Sequence, residues 1–173
     1  MESRVREFTL AGGQSVSLRP VAPEDDEFLL SVYASTRDEE LSQVEWGEGQ
    51  KEFFLRHQFA AQREQYDGRF PDADYDVILL DGRAVGRLWV GSDDEQTRLL
   101  DIALLPEAQN LGIGTALLKH LIEVARASGK KLRHMVFMLN PDAKRFYERL
   151  GFVGFEEFGA YLHMEWRPDE KSR

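Results

Sequence analysis

The sequence predicts an α/β fold in which a mixed, mostly antiparallel sheet of about seven strands is flanked by about four helices. Three observations support this prediction. Strand-like and helix-like segments follow one another in the order β-α-α-β-β-β-α-β-α-β-β. A helix joins two strands in the second half, which requires a parallel pair with a right-handed crossover. Adjacent apolar runs separated by short turns indicate antiparallel hairpins elsewhere.

The first half of the chain predicts one strand and two helices. Ser15–Pro20 alternates between apolar and polar residues and ends at a proline, as a strand does. Pro23 is followed by Glu24, Asp25 and Asp26, which is typical of a helix start. Residues 37–49 are polar with one tryptophan and predict a loop or a short helix, and residues 50–66 predict a second helix.

The second half alternates strands and helices. Asp81 and Gly82 lie between two apolar runs and are typical of a type I′ hairpin turn. Residues 97–105 are largely apolar, which predicts a strand buried on both faces. A helix then follows a glycine-containing turn and ends before Gly129. The remaining elements are a strand over 131–139, a short helix over 140–150 and a closing hairpin over 152–166.

The length and charge of the chain limit its class. With 173 residues it can form one domain with its own core. We expect a single domain over 1–173, with a core over about 15–166 and a loose tail over 167–173. A net charge of −9 makes nucleic acid or an anionic membrane a poor partner, because both attract clustered Lys and Arg.

Residue usage excludes several kinds of chemistry. The chain has no cysteine, so it forms no disulfide, thiolate metal site or covalent cysteine intermediate, and a cytoplasmic location is expected. Its four histidines have no metal-ligand spacing, so we expect no metal. The N-terminus has no apolar segment typical of a secretory signal, and no apolar run is long enough to cross a membrane.

Two glycines at the start of the third predicted helix are the first functional signal. Gly112 and Gly114 allow a close approach to the backbone, where unpaired N–H groups and the helix dipole attract an anion. A P-loop would need a Gly-Lys-Ser/Thr sequence, and a dinucleotide fingerprint would need three glycines in another spacing. The pattern Gln/Arg-x-x-Gly-x-Gly/Ala fits at Gln109, Gly112 and Gly114. On this motif alone, tight strand–helix packing explains the glycines equally well.

The surrounding sequence resembles the GCN5-related N-acetyltransferase (GNAT) superfamily. The segments "DIALLPEAQNLGIGTALL" and "NPDAKRFYERLGF" carry the resemblance, which is specific over about 98–152 and looser elsewhere. It implies the acetyltransferase fold, acetyl-CoA as co-substrate and direct acetyl transfer to a primary amine. Such a transfer needs no enzyme nucleophile, so it is compatible with the absence of cysteine.

The resemblance also implies roles for individual residues. Ile102, Ala103 and Leu104 match the strand that pairs with pantetheine, and the N–H of Leu104 is our candidate oxyanion donor. Asn140 matches an asparagine that contacts the cofactor, and Tyr147 matches the general acid that protonates the CoA thiolate. The loop that would hold the pyrophosphate comprises Gln109, Asn110, Leu111, Gly112, Ile113, Gly114 and Thr115.

The general base remains open. Met135 stands where some family members have a glutamate, and it cannot accept a proton. The alternatives are Asp101, His134 and Glu45, or a base acting through water. Asp101 is equally consistent with a buried structural carboxylate, and we expect His134 to be a surface residue at a strand end. Spacing alone would also make Tyr147 a plain core residue on an apolar helix face.

The sequence gives the least information about the acceptor amine. Residues 24–52 carry ten acidic residues and two basic ones, so an acidic rim would suit a cationic amine, although a solvated helix face explains most of them. Glu45 and Trp46 are the candidate acceptor-binding residues. We expect a small-molecule amine, with a peptide amine or a non-catalytic acyl-CoA-binding module as alternatives. The closing hairpin would leave strand edges free for a homodimer.

Overall fold

The structure is a computed structural model that describes residues 6–168. It contains eight strands and four α-helices among these residues, besides short 3₁₀ turns at Pro23–Asp25 and Pro106–Ala108. In chain order the elements are β1 (Arg6–Thr9), β2 (Ser15–Pro20), α1 (Asp26–Leu41), α2 (Gln50–Arg69), β3 (Asp74–Leu80), β4 (Arg83–Ser92), β5 (Gln96–Leu104), α3 (Ile113–Ser128), β6 (Lys131–Phe137), α4 (Pro141–Arg149), β7 (Val153–Phe158) and β8 (Tyr161–Trp166).

The described residues form two compact units, and β4 and β5 run through both of them. The first unit comprises 6–89 and 101–113 and has the strand order β1-β2-β3-β4-β5. β1 pairs antiparallel with β2, and β2 pairs antiparallel with β3. Helices α1 and α2 pack together around buried Tyr33, Leu41 and Leu55.

The second unit comprises 90–100 and 114–168 and has the strand order β4-β5-β6-β8-β7. The pairs β6–β8 and β8–β7 are antiparallel, whereas β5 and β6 are parallel. The parallel ladder is short, since it joins 96–98 to 131–133 and both strands continue beyond it. The predicted parallel pair is therefore confirmed.

The α/β class and the mostly antiparallel sheet are confirmed, with eight strands instead of about seven. Strand β1 was not predicted from the sequence, so the described structure begins before residue 15. The first helix extends to Leu41, into a segment predicted as a loop or short helix. Asp81 and Gly82 both have a positive φ, at 49° and 80°, as the predicted hairpin turn requires.

Three predictions from the sequence remain predictions. Residues 169–173 of the predicted loose tail lie outside the described residues, and the single-domain boundaries stay a prediction. Over 6–168, no helix is both long and apolar enough to span a membrane. The expected cytoplasmic location also remains a prediction.

Candidate active site

The loop between β5 and α3 has the backbone that the glycine motif predicts. Asn110 and Gly112 both have a positive φ, at 59° and 89°. Helix α3 then begins at Ile113 with no acidic residue in its first turn. The N-terminus of α3 therefore has unpaired N–H groups and a partial positive charge, and no acidic side chain in the first turn neutralises that charge.

Gly112 and Gly114 lack a side chain for different reasons. At Gly112 the positive φ disfavours any L side chain, although the surrounding space is open. At Gly114 a Cβ atom would meet only the Cζ atom of Phe146 at 3.7 Å, which is an ordinary van der Waals contact. The fold could therefore hold alanine at position 114, and packing alone does not explain this glycine.

Gln109 and Asn140 both make local hydrogen bonds. The Gln109 side-chain amide donates to the Leu104 carbonyl at 3.0 Å, so it ties the loop to the end of β5. The Asn140 side chain accepts from the Ala143 N–H at 3.0 Å and caps α4. These bonds give each residue a structural role beside the cofactor role that the resemblance implies.

Gly86 fixes the position of the strand that resembles the pantetheine-binding one. A Cβ atom at Gly86 would lie 2.3 Å from the Ala103 carbonyl oxygen and 2.8 Å from Leu104 Cδ2. No real side chain tolerates such a contact with backbone, so β4 can approach β5 here only at a glycine. The sequence analysis did not single out Gly86, although a glycine inside a strand pattern is a signal of close approach.

Tyr147 lies in the core of the second unit. It is 5 % exposed, and its ring packs against three other rings: His134 at 4.7 Å, Phe146 at 5.2 Å and Phe152 at 5.5 Å between centroids. Gly151, with a φ of 91°, ends α4 just beyond this tyrosine. The ring is therefore held rigidly, as both a core tyrosine and a positioned acid would be.

His134 is not the surface residue that the sequence analysis expected. It lies within β6, and its Nδ1 atom is 3.1 Å from the Leu99 carbonyl oxygen, next to the end of the parallel ladder. Burial lowers the pKa of His134 to about 4. The ring is therefore neutral at pH 7. Because a carbonyl only accepts hydrogen bonds, we assign the proton to Nδ1 and the free lone pair to Nε2.

Asp101 forms an ion pair with a buried arginine. Its Oδ2 atom is 2.5 Å from Nη2 of Arg87, and the two side chains are 22 % and 1 % exposed, respectively. Burial raises the pKa of Asp101, and the attraction of Arg87 opposes this rise. Asp101 is therefore a partly accessible carboxyl group with both a structural partner and a perturbed proton affinity.

Arg87 was missed by the sequence analysis. Its guanidinium lies 4.3 Å from the centroid of Trp89 and within 5.6 Å of the ring centroids of Phe59 and Tyr33. Its Nη2 also donates to Gln62 at 3.3 Å, while Nε and Nη1 are buried without a hydrogen-bond partner. The available signal was an arginine in the middle of the apolar run "AVGRLWVG".

The two candidate acceptor residues differ in exposure. Glu45 is exposed, whereas Trp46 is half-buried and packs against Phe54, with the ring centroids 5.3 Å apart and the ring planes tilted by 40°. The Trp46 indole N–H donates to the Leu41 carbonyl at 2.9 Å, at the end of α1. These contacts are sufficient to explain Trp46 structurally, and its acceptor role stays a prediction.

Two clefts lie along the helices of the first unit. One of about 790 Å³ runs along α2 and the start of α1, and its lining includes Asp26, Phe59 and Arg63. A second, of about 480 Å³, lies between α1 and the beginning of α2. Within 6–168 no group of three or more metal-ligating side chains comes together.

The predicted site residues are divided between the two units. Glu45, Trp46, Asp101 and the cofactor residues up to Ile113 belong to the first, and the cofactor residues from Gly114 onward belong to the second with Tyr147. The structure brings Asp101 together with Arg87, and Tyr147 together with His134.

Known structures share this fold. A PaiA N-acetyltransferase from Thermoplasma acidophilum, solved in complex with coenzyme A, superposes with a TM-score of 0.67 at 20 % identity, covering 88 % of this chain and 98 % of that one. An acetyltransferase from Thermus thermophilus superposes with a TM-score of 0.64 at 24 % identity, covering 88 % and 96 %.

Sequence relatives match only part of their own length. The uncharacterized N-acetyltransferase CgeE of Bacillus subtilis is 26 % identical over 78 residues, which cover 45 % of this chain and 30 % of CgeE. An uncharacterized N-acetyltransferase of Methanocaldococcus jannaschii is 36 % identical over 87 residues, covering 48 % and 54 %. The model of the acetyltransferase (GNAT) family matches residues 34–152, which is more than half of the chain. The chain therefore belongs to the acetyltransferase (GNAT) family.

Proposed function

We propose that the protein is an acyl-CoA-dependent N-acetyltransferase that moves the acetyl group of acetyl-CoA to a primary amine of a small molecule. The observation that carries this proposal is the loop before α3. Its left-handed residues Asn110 and Gly112, and a glycine at position 114 that packing does not require, leave the start of α3 open to an anion. The pyrophosphate of CoA fits this chemistry. Family membership and the CoA complex of the Thermoplasma relative support it.

The chemistry requires two proton transfers. The amine nitrogen attacks the thioester carbonyl carbon, a C–N bond forms, and the C–S bond then breaks. The amine loses a proton and the leaving thiolate gains one. We assign donation to the Tyr147 hydroxyl, and stabilisation of the negative carbonyl oxygen to the Leu104 N–H. The family resemblance supports this role for Tyr147, and the packing of its ring is compatible with it, because an acid must be positioned to act.

Asp101 is our proposed base. Its carboxyl group is partly accessible, and burial raises its pKa above the usual value, which makes the carboxylate a stronger base. His134 is the second candidate, because its neutral ring keeps a free lone pair on Nε2. Glu45 is the third candidate, because its carboxylate is exposed on the surface.

A small-molecule acceptor is favoured by the clefts along α1 and α2. Their volumes of about 790 and 480 Å³ lie in the range of small-molecule sites. Five of the ten acidic residues over 24–52 form ion pairs with arginine or lysine, and the other five would attract a cationic amine. A peptide amine remains the alternative acceptor. A non-catalytic acyl-CoA-binding module is the second candidate function, and Met135 at the family's glutamate position is the observation that favours it.

The decisive experiment measures release of the free CoA thiol from acetyl-CoA across polyamines, amino acids, aminoglycosides and peptides. Tyr147→Phe should lower turnover while leaving the affinity for acetyl-CoA unchanged. Tyr161→Phe removes an exposed hydroxyl as the matched control and should leave both quantities unchanged. Thermal shifts with acetyl-CoA, ATP and NAD test the donor separately. Stabilisation by ATP or NAD alone would refute acetyl-CoA as donor. A wild-type protein that releases no CoA thiol with any amine of the panel would refute the proposed enzymatic activity.

A further inference from the structure

Two arginines line the larger cleft of the first unit, and they differ in their partners. Arg56 is paired with Glu27 and Glu52, both at 2.9 Å, so carboxylates of the protein neutralise its charge. Arg63, further along α2, is half-buried and forms no ion pair with a carboxylate of residues 6–168. Arg63 therefore brings a positive charge to the cleft that these residues leave unpaired.

Two aromatic rings hold the Arg63 guanidinium in place. Its Cζ atom lies 4.8 Å from the ring centroid of Tyr75 and 5.7 Å from that of Trp89. The Tyr75 hydroxyl donates to Asp67 at 2.6 Å, and its ring packs edge-on against Trp89, which is fully buried. The rings attract the charge of a guanidinium but offer no lone pairs to its five N–H donors. The guanidinium is therefore preorganised, and its donors are available to an oxygen acceptor.

The rest of the lining indicates which ligand fits. A carboxylate can accept two parallel N–H bonds from one guanidinium. Asp26 and Glu64 also line the cleft, and their carboxylates would repel a ligand that is only an anion. The same carboxylates would attract an ammonium group. A molecule with both a carboxylate and an amine therefore suits the cleft better than a phosphate or a simple anion.

The cleft lies close to the proposed base. Phe59 is part of its lining, and the Arg87 guanidinium lies 5.5 Å from the centroid of the Phe59 ring. Arg87 in turn pairs with Asp101 at 2.5 Å. Arg63 and Arg87 lie 5.7 and 4.3 Å from the centroid of Trp89, so their guanidinium carbons are at most about 10 Å apart. This separation is within the length of one small molecule.

We propose that the acceptor amine also bears a carboxylate and that Arg63 binds this carboxylate. Under the proposed function, on which this inference rests, the acceptors are then amino acids with an α- or ω-amine, and not polyamines or aminoglycosides. The carboxylate does not react, since the amine nitrogen forms the new C–N bond and loses the proton. A contact with an unreactive group is equally strong in the ground state and the transition state, so Arg63 should affect KM and not kcat.

The test compares amino acids with their own amides, which keep the amine but lack the negative charge. The panel contains α-amino acids and ω-amino acids of increasing length, and the readout is release of the CoA thiol. In the wild type the KM of an amide should be about ten- to a hundredfold higher than that of its acid, at similar kcat, because a charge-assisted bond is lost. In Arg63→Met the acid and the amide should have the same high KM.

Arg69→Met is the matched control. Arg69 is an exposed arginine on the same helix, and its guanidinium lies 5.7 Å from the ring centroid of Phe70. This variant loses the same charge as Arg63→Met but should keep the preference for acids. If Arg63→Met does not fold, Arg63→Lys keeps the charge without the two-pronged geometry and should retain only part of the preference. A folded Arg63→Lys variant with the full preference would refute binding by the Arg63 guanidinium.

A binding measurement separates this inference from the proposed function. Calorimetric titration of the same acids and amides in the presence of free CoA reports binding without any transfer. Stronger binding of an acid than of its amide, lost in Arg63→Met and kept in Arg69→Met, would support the carboxylate site even if no CoA thiol is released. Thiol release with equal KM for acids and amides would overturn the inference and leave the proposed function intact, and equal binding of acids and amides by the wild type would also overturn it.

Discussion

Replacing Asp101 should destabilise the protein more than replacing Arg87, although both changes break the same ion pair. Arg87 stays charged at any accessible pH and is 1 % exposed, so Asp101→Asn leaves a buried cation without a counter-ion. Removing one partner of a buried pair costs about 3–5 kcal/mol. In Arg87→Met the remaining carboxyl is 22 % exposed and can hydrate or take up a proton. We therefore expect a smaller cost of about 1–2 kcal/mol.

The double variant provides the sharper test. Arg87→Met combined with Asp101→Asn leaves no buried charge, and the methionine can still pack on Trp89. It should therefore be about 2 kcal/mol more stable than Asp101→Asn alone, because neutral replacements of buried pairs are often tolerated. Urea denaturation near pH 7.5 gives the free energy of unfolding of the wild type, of the two single variants and of the double variant. The four values are comparable if the dependence of that free energy on urea concentration is the same in all of them.

A matched control comes from the surface. Arg56 makes a two-pronged contact with Glu27 at 2.9 and 3.0 Å, but both side chains are exposed. Arg56→Met and Glu27→Gln should therefore barely change the unfolding midpoint. Two results would contradict this account of a buried ion pair. One is that the losses of unfolding free energy at Arg87 and Asp101 are additive, and the other is that they are as small as those at Arg56.

Three further predictions use single substitutions. Gly114→Asp should leave the fold intact, because a Cβ there meets only Phe146 at 3.7 Å, but its carboxylate in the first turn of α3 should repel the pyrophosphate and weaken acetyl-CoA binding at least about tenfold, or about 1.4 kcal/mol, by calorimetric titration; unchanged affinity would contradict the anion loop. Gly86→Ala should destabilise by about 2–3 kcal/mol because its Cβ would collide with the Ala103 carbonyl, whereas Gly68→Ala, in open space on α2, should stabilise slightly in the same urea assay. For His134 the folded pKa of about 4 lies below the ordinary histidine pKa of 6.5, so its contribution to stability is complete above pH 6.5 and is lost as pH falls toward 4. Between pH 7 and 5 the wild type should lose about 2 kcal/mol more than His134→Asn, and parallel pH curves would contradict this.

The sequence predicted features whose causes are local. The turn at Asp81 and Gly82, the cap at Gly129 and the start of α3 depend on residues within a few positions of each other. The motif at Gln109 and Gly112 was visible for the same reason. A strand as short as β1 carries too few alternations to be recognised before its partner β2 is known.

The features that the sequence missed depend on distant contacts. Arg87 is buried because aromatic residues from α1 and α2 enclose it, and no local pattern identifies those neighbours. His134 was expected at the surface because alternation does not show which strand face is covered. The ring of Tyr147, 13 residues further along the chain, covers it. The proposed roles of Asp101 and Tyr147 come from the sequence, whereas their contacts with Arg87 and His134 are known only from the structure.

Gly86 and Gly114 show what the structure adds to a motif. In sequence both are glycines inside a regular element, and both would be explained equally well by close packing. The distances separate them, since a Cβ at Gly86 would lie 2.3 Å from a carbonyl oxygen and one at Gly114 would lie 3.7 Å from a ring carbon. The fold itself therefore requires the first glycine, which sets the position of Ala103 and Leu104. Packing does not require a glycine at position 114, so the absence of a side chain there is available for binding a ligand.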